Sequence, residues 1–395
     1  MRPTENLLRP LPRSVYGRRG HRSVGVCRQR ILVFLCATGL CLGAASAQDW
    51  PSFRGDPQLR GVATTALPTI LALQWVFQAP AAIESTAAVV DRTIYVGAMD
   101  GRLYALDLET GQTRWEYAAA GEIKSSPTVA GGRVYFGDES GVLHAVDAAT
   151  GVLLWQTQVA GAISSSPNFF GSRLYFGSYD NNLYCVAAAD GAVAWKSETA
   201  GYIHGTPAVW GATVAFAGCD GRLRVLDAYA GTLVRALDLE DYVGASMAVA
   251  GDRGFVGTFG NQVLGIDLAA GAVAWRFRDP DRTFPFYASP ALAESLLIVA
   301  GRDKTVRALG VDDGVPKWTY AAGARVDSSP VISGARVFFG TDGGDLVGLA
   351  IASGERLWQF AAGAAIAASP AVASGRLLIG ATDGRLYCFG PGGEE

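Results

Sequence analysis

The sequence predicts an all-β protein, a closed ring of eight four-stranded antiparallel sheets, from three observations. Tryptophan and a Ser-Pro step each recur with a period of about 40 residues. Between these marks lie short runs rich in Val, Tyr, Phe and Leu, bounded by Gly and Asp. The chain ends on the third strand of a repeat, while an unattached run near position 73 reads as a fourth strand. Short repeats of this kind pack around an axis as an eight-bladed β-propeller.

The tryptophans set the frame of the repeat. The stretch "LHAVDAATGVLLW" (143–155) has close copies one period earlier and one period later. One unit has Arg235 in place of the tryptophan, and three extra residues precede Trp318. We expect each indole to form a wedge between neighbouring sheets. The docking positions are Trp75, Trp115, Trp155, Trp195, Trp275, Trp318 and Trp358.

One repeat reads as four strands. In residues 123–158 these are "IKSSPTVA" (123–130), "RVYFG" (133–137), "VLHAVD" (142–147) and "VLLWQTQ" (152–158). Apolar residues in "RVYFG" point to both faces, so each sheet needs a neighbour on both sides. The Thr-Gly or Asp-Gly pair before the fourth strand supplies a glycine at the turn, where a positive φ is needed.

The two ends of the chain complete one sheet. The run "LQWVF" (73–77) supplies the fourth strand that follows "RLYCFG" (385–390), which closes the ring without an open edge. The expected organisation is therefore a leading segment at 48–72, the propeller at 73–390 and a tail at 391–395.

Residues 1–47 have the pattern of an export signal with an extended basic region. Residues 1–30 carry eight Arg and one Glu, and the apolar run "ILVFLCATGLCLGAASA" follows, ending in Ala45-Ser46-Ala47. We expect cleavage after Ala47 and export to the periplasm or cell envelope. The apolar run is short for a bilayer span, so no spanning helix is expected in the mature chain.

The net charge limits the classes of partner, and the cysteine count limits the disulfides that can form. Without residues 1–47, Lys+Arg falls from 33 to 25 and Asp+Glu from 36 to 35, because eight Arg and one Glu are lost. An acidic chain of this kind is not expected to bind nucleic acid. Three cysteines remain, so at least one thiol is unpaired, and Cys185 and Cys388 hold equivalent core positions in two repeats. We expect a monomer.

The repeat resembles the pyrroloquinoline-quinone-type propeller repeat, whose tryptophan-docking motif is A-x-D-x-x-T-G-x-x-x-W. The unit at 105–115 matches this motif in full, as does the unit at 145–155, and the unit at 265–275 matches in part. The resemblance covers 73–390. The stretch "WPSFRGDPQLRGVA" (50–63) looks like the N-terminal segment of exported members of that family.

The resemblance implies two kinds of function. One kind is the quinone-dependent alcohol dehydrogenase with calcium in the central funnel; the other is the cofactor-free BamB-like scaffold of outer-membrane assembly. The dehydrogenases are longer, carry insertions between blades and often have adjacent cysteines, whereas this chain has near-minimal blades and no adjacent cysteines. We therefore expect a non-enzymatic, BamB-like scaffold that binds a protein partner in the envelope without a cofactor. The chain lacks the lipoprotein signal usual in those scaffolds. A quinone-dependent dehydrogenase with calcium is the alternative.

A ring of variable positions is the candidate binding site. At the start of the first strand an apolar residue repeats in every unit, and the residue after it differs from unit to unit. Innermost strands line the channel, so these positions are expected to surround one mouth of it. They are Glu84, Lys124, Ser164, His204, Gly244, Tyr287, Asp327 and Ala367.

Aromatic side chains lie beside this ring in sequence. They are Tyr202, Tyr242, Phe284, Phe286 and Tyr287. The predicted binding set is Glu84, Lys124, His204, Tyr242, Tyr287 and Asp327. Solvated polarity at the channel mouth remains an alternative to specific binding, and so does a loop that folds its own aromatics inward. Acid–base chemistry by Glu84, Lys124, His204 and Asp327 is a further alternative that no motif demands.

No metal site or catalytic set is expected. The aspartates that recur at the blade period stand in x-Asp-Gly turns, where aspartate serves ordinary turn chemistry. His144 reads as a core residue within a strand, which leaves too few histidines for a zinc site. The turn aspartates are Asp100, Asp180, Asp220, Asp303, Asp342 and Asp383.

Overall fold

The computed structural model describes residues 48–393. It contains eight four-stranded antiparallel sheets, which confirms the predicted all-β, eight-bladed propeller. The predicted export signal and its cleavage point lie outside the described residues. Within the described part of the chain, no helix has the length and apolar character needed to cross a membrane.

The first strand of the chain, β1 (Leu71–Gln78), belongs to the last blade. Blades 1 to 4 then follow in order: β2 (Ala88–Val90), β3 (Thr93–Gly97), β4 (Arg102–Asp107) and β5 (Thr113–Ala118); β6 (Thr128–Ala130), β7 (Arg133–Gly137), β8 (Val142–Asp147) and β9 (Leu153–Gln158); β10 (Asn168–Phe170), β11 (Arg173–Gly177), β12 (Asn182–Ala187) and β13 (Val193–Glu198); β14 (Ala208–Trp210), β15 (Thr213–Ala217), β16 (Arg222–Asp227) and β17 (Leu233–Asp238).

Blades 5 to 8 continue the same order: β18 (Ala248–Ala250), β19 (Arg253–Gly257), β20 (Val263–Asp267) and β21 (Ala272–Phe277); β22 (Ala291–Leu292), β23 (Leu296–Ala300), β24 (Thr305–Gly310) and β25 (Pro316–Ala321); β26 (Val331–Ser333), β27 (Arg336–Gly340), β28 (Asp345–Ala350) and β29 (Arg356–Ala361); β30 (Ala371–Ala373), β31 (Arg376–Gly380) and β32 (Arg385–Pro391), completed by β1.

The innermost strand of each blade is shorter than the sequence predicts. The predicted strand at 123–130 contracts to Thr128–Ala130. Pro127 has no N–H to donate to a neighbouring strand, and the N–H of Ser126 is bonded to the next blade. The residues before the proline therefore form part of the channel wall instead of a sheet.

The ring closes as predicted. Strand β1 pairs antiparallel with β32, and Trp75 stands opposite Cys388. The closing strand is longer at both ends than the predicted run at 73–77. The first and last strands of the described chain thus share one sheet.

Each tryptophan packs on the following blade. The indole N–H of Trp155 donates to the carbonyl of Ala188 at 3.2 Å. Gly191, at φ +74°, lies directly under that indole, and a Cβ there would sit 2.5 Å from the ring. The glycine of the motif therefore serves both the turn and the contact with the indole. Arg235 fills the equivalent place against Gly271.

In the core between blades, the last residue of the second strand is matched in size to the residue that it faces in the next blade. In blade 2 the second strand ends at Gly137, where a Cβ would lie 2.2 Å from Ile163 of the next blade. The same strand ends in Ala217 in blade 4 and in Ala300 in blade 6, and the facing residues there are the smaller Val243 and Val326. These interfaces thus keep a similar filled volume, as close packing requires. The interface after blade 5 is different, since Gly257 there faces the larger Phe286.

Candidate functional site

One end of the channel is closed by the N-terminal part of the chain. Residues 48–63, here called the channel segment, run around the inside of the ring and bond to all eight blades in ring order. The contacts are Ser374 N to Gln48 O, Val89 N to Trp50 O, Val129 N to Pro51 O, Asn168 Nδ2 and Val209 N to Pro57 O, Val249 N to Gln58 O, Leu292 N to Arg60 O and Ile332 N to Gly61 O.

The channel segment satisfies the free edges of the innermost strands. Those N–H groups face the axis and have no partner strand, so a bound backbone replaces water there. Trp50, Arg54 and Leu59 are each 1% exposed. Sequence analysis placed these residues only in a leading segment, because a segment that pairs in turn with eight different strands shows no periodicity of its own.

Arg54 is the buried charge of the channel segment. Its Nη2 donates to the carbonyl of Pro290 at 2.9 Å, and its Nε and Nη1 have no partner in the described chain. Burial lowers the pKa of this guanidinium to about 9.

The other end of the channel opens into a cavity of about 500 Å³. All eight variable positions line it, and Phe53 of the channel segment lines it too. The cavity therefore brings together five of the six residues of the predicted binding set, namely Glu84, Lys124, His204, Tyr287 and Asp327.

The sixth residue, Tyr242, lies outside the cavity wall. Its side chain is 62% exposed. Tyr202 and Phe284 are also exposed, at 53% and 52%, and Tyr202 stacks on Tyr179 with ring centroids 5.1 Å apart. These three aromatics, here called the rim aromatics, stand where the chain enters blades 4, 5 and 6. Phe286 is 1% exposed and occupies the repeated core position, so it does not belong to the exposed group.

A second ring of wall residues was missed from sequence. The turn between the second and third strands of each blade reaches the start of the next blade, as when Ile203 N donates to the carbonyl of Ser178 at 3.4 Å. Its side chains meet the variable positions 25 residues further along the chain: Glu139 with Ser164 at 2.6 Å, Tyr179 with His204 at 2.6 Å, and Arg302 with Asp327 at 2.8 Å. This fixed spacing was the available signal.

His204 is held between two tyrosines. Its Nδ1 lies 2.6 Å from the hydroxyl of Tyr179, and its Nε2 lies 2.6 Å from the hydroxyl of Tyr287. Burial lowers the pKa of His204, so the ring is neutral at neutral pH. A neutral imidazole has one donor and one acceptor nitrogen, so one tyrosine donates to it and the other accepts from it.

The charged groups of the cavity are mostly paired. Arg302 forms a bidentate ion pair with Asp327, and its guanidinium lies 4.5 Å from the ring centroid of Tyr287. Lys124 Nζ lies 3.5 Å from Glu139. Both cations thus face carboxylates. Within residues 48–393, Glu84 alone among the charged wall residues has no hydrogen bond or ion pair.

A belt of hydroxyl groups encircles the neck of the cavity. In seven places the backbone N–H of one member donates to the hydroxyl oxygen of the member in the next blade, for example Ser126 N to Ser166 Oγ at 2.9 Å. This bonding explains the Ser-Pro period. The belt consists of Thr86, Ser126, Ser166, Thr206, Ser246, Ser289, Ser329 and Ser369.

The turn aspartates and His144 have structural partners. Asp180 accepts from Asn182 N at 3.1 Å and from the hydroxyl of Tyr184 at 2.7 Å. His144 is buried, with Nε2 3.0 Å from Asp138 Oδ2 and Nδ1 3.1 Å from the Tyr117 hydroxyl.

The calcium implied by the alternative function does not fit the acidic residues present. No group of three or more His, Cys, Asp or Glu in residues 48–393 could hold a metal ion. In the cavity, the carboxylates of Asp327 and Glu139 already face Arg302 and Lys124, and Glu84 stands apart.

A family model described as the outer membrane protein assembly factor BamB matches residues 72–164, 139–234 and 219–394. The chain belongs to this BamB-like family. The predicted resemblance to quinone-type propeller repeats is thereby confirmed. No curated relative matches the sequence.

Solved structures share the fold of this BamB-like chain. BamB from Moraxella catarrhalis is 18% identical, with a TM-score of 0.70 over 82% of this chain and 99% of that one. Quinohemoprotein alcohol dehydrogenase from Comamonas testosteroni is 16% identical, with a TM-score of 0.76 over 89% of this chain and 82% of that one. A europium-containing methanol dehydrogenase is 13% identical, with a TM-score of 0.73 over 88% and 98%. Such identities establish the fold alone.

Proposed function

We propose that this BamB-like propeller is an exported, non-enzymatic scaffold that captures a protein partner in the periplasm or cell envelope at the open end of its ring. The observation that carries the proposal is the contrast at that end. Three exposed aromatics on successive blades flank a polar cavity, whereas the opposite end is occupied by the protein's own channel segment. Exposed aromatic groups beside polar ones are typical of protein interaction sites.

The family supports a scaffold more than an enzyme. The family takes its name from an outer membrane protein assembly factor. The dehydrogenases share the fold, but the described residues of this chain offer no metal-ligand group, and the cations of its cavity are already paired. A dehydrogenase remains the second candidate because of the shared fold alone.

Photo-crosslinking tests the position of the partner. A photoreactive amino acid placed at Tyr242 or Tyr202 is expected to form adducts with a discrete protein in the source cells, because both side chains project from the rim. The matched control is Tyr229, a 50% exposed tyrosine in the turn between β16 and β17 at the closed end. Equal adducts from all three positions, or adducts from Tyr229 alone, contradict the proposal.

A loading assay tests the second candidate. The purified chain is mixed with pyrroloquinoline quinone and calcium, separated from free quinone, and examined for bound-quinone absorbance and alcohol-dependent dye reduction. We expect neither signal. Stoichiometric quinone with dye reduction would replace the scaffold proposal by a dehydrogenase.

A further inference from the structure

The cavity carries one uncompensated negative charge. Its charged wall residues are Glu84, Glu139 and Asp327 against Lys124 and Arg302. The two cations are engaged by Glu139 and Asp327. His204 is neutral, because burial lowers its pKa. The carboxylate of Glu84 is therefore the group that a ligand would have to neutralise, which favours a monovalent cation over an anion.

The hydroxyl belt is incomplete beside that carboxylate. Seven inter-blade bonds are formed, but in the described chain no bond from Ser369 N to Thr86 Oγ1 completes the circle. Thr86 lies two residues after Glu84 along the innermost segment of blade 1, and both line the cavity. Blade 1 thus presents hydrogen-bond acceptors that lack donors, next to the unpaired charge.

The remaining wall suits an organic cation. Tyr287 and Tyr179 line the same cavity with aromatic rings, whose faces attract cations. Arg302 already covers one face of Tyr287 and Tyr202 one face of Tyr179, so the attraction available to a ligand comes from the remaining ring surface. The pKa of Tyr287 is raised to about 12, chiefly by burial and then by the neighbouring Tyr179 and Asp327, with a smaller contribution from Glu84. Glu84 and Tyr287 thus face the same cavity.

We infer that this cavity binds an alkylammonium group, a protonated primary amine, whose charge is neutralised by Glu84 and whose N–H groups donate to Glu84 and Thr86. A primary ammonium supplies one positive charge and three donors. A volume of about 500 Å³ is ample for its alkyl chain. A metal ion would instead need several carboxylates, and the described residues provide no such group.

Two sources carry this chemistry. One is a free small amine. The other is a lysine side chain of the partner, and this second source rests on the proposed scaffold function. In that case the partner would lie on the rim aromatics and insert its lysine into the cavity.

Isothermal titration calorimetry of the full mature chain with n-butylammonium chloride tests the site. Binding is expected to weaken at higher ionic strength, as for any charge pair. Butyrate and 1-butanol, which match its size without a positive charge, are not expected to bind. Glu84→Gln should weaken n-butylammonium binding about tenfold or more, since it removes the charge while keeping the shape.

The matched control is Glu122→Gln, an exposed acid one residue before Ile123 at the same end of the ring. It should leave the affinity within about twofold. The inference is overturned if n-butylammonium does not bind, if butyrate binds instead, or if Glu84→Gln and Glu122→Gln behave alike.

A lysine peptide and its acetyl-lysine analogue distinguish the two sources. Tighter binding of the lysine peptide than of n-butylammonium identifies a partner side chain, and equal binding identifies a free amine. Failure of the amine site is separable from failure of the scaffold proposal, because crosslinks from Tyr202 and Tyr242 report the partner without any amine probe.

Discussion

At the closed end of the channel, the channel segment forms hydrogen bonds with all eight blades. At the open end, each blade presents a different residue to the cavity. The channel segment bonds mainly to backbone groups, which repeat in every blade. The open end is built from side chains that change from Glu84 to Lys124 to His204 around the ring. Closure thus relies on the shared backbone geometry, while the chemistry of the cavity is set by the variable residues and the turn residues that bond to them.

The largest expected effect is the loss of both closure devices. Deleting residues 48–78 removes the channel segment and β1, so blade 8 loses its outer strand and the ring opens. We expect the whole propeller to lose cooperative folding, because net stabilities of only ~5–15 kcal/mol do not survive such a loss. Thermal and urea unfolding followed by circular dichroism measures this.

Deleting residues 48–63 alone is the matched control. It leaves β1 paired with β32 but exposes the innermost edges to water, so a folded ring with a lower melting temperature is expected. If the longer deletion melts like the intact chain, the ring does not depend on closure by its two ends.

The second largest effect concerns the packing of side chains between neighbouring blades. Gly137→Ala places a methyl group against Ile163 and should cost ~1–3 kcal/mol in free energy of unfolding. Adding Ile163→Val should recover part of that cost, because the Ala217 and Ala300 interfaces already use valine. Urea unfolding of the single and double variants gives the coupling energy.

Ile163→Val alone is expected to cost ~0.5–1.5 kcal/mol through the lost methylene. If the costs of the two substitutions simply add, the pairing of glycine with isoleucine and of alanine with valine is not a packing rule in this protein.

The smallest effect lies at the open end and concerns pH. The folded-state pKa of His204 lies below its ordinary value of 6.5 because of burial. The unfolded chain therefore binds more protons between these two values. The histidine's contribution to stability is complete above pH ~6.5 and falls as the pH drops below it toward the folded pKa.

His204→Gln should flatten the fall in stability between neutral and mildly acidic pH, whatever its effect at neutral pH. Urea unfolding of both proteins at several pH values checks the slope. Parallel slopes would mean that His204 does not titrate differently in the folded and unfolded states.

Much of the fold could be predicted from the sequence because the pattern of one blade is repeated eight times. Five repeats carry a Ser-Pro step and one a Thr-Pro step, and seven carry the turn glycine and seven the tryptophan, so local signals reinforce one another. The short innermost strands were misjudged, because the partner of Ser126 N is a hydroxyl of the next blade and not a strand neighbour. The channel segment was missed for a related reason, since its partners are 39 or more residues away.

Only part of the candidate site could be predicted from the sequence. The variable position that follows a repeated apolar residue was enough to place Glu84, Lys124 and His204 at the channel mouth, and the cavity contains them. The other wall residues, Glu139, Tyr179 and Arg302, each come from the blade before the one that carries their partner, Ser164, His204 or Asp327. Tyr242 shares the sequence neighbourhood but projects from the rim, which depends on the path of the chain between blades.

The amino-acid sequence by itself determined the number of blades, the wedge role of the tryptophans and the pairing of the two chain ends, since these follow from short-range patterns repeated at a fixed period. Only the tertiary structure decided that residues 48–63 close the channel, that His204 lies between Tyr179 and Tyr287, and that Glu84 keeps its charge unpaired. The physical reason is that the ring brings together side chains from different blades. Hydrogen bonds and ion pairs between blades depend on that arrangement and not on neighbours in sequence.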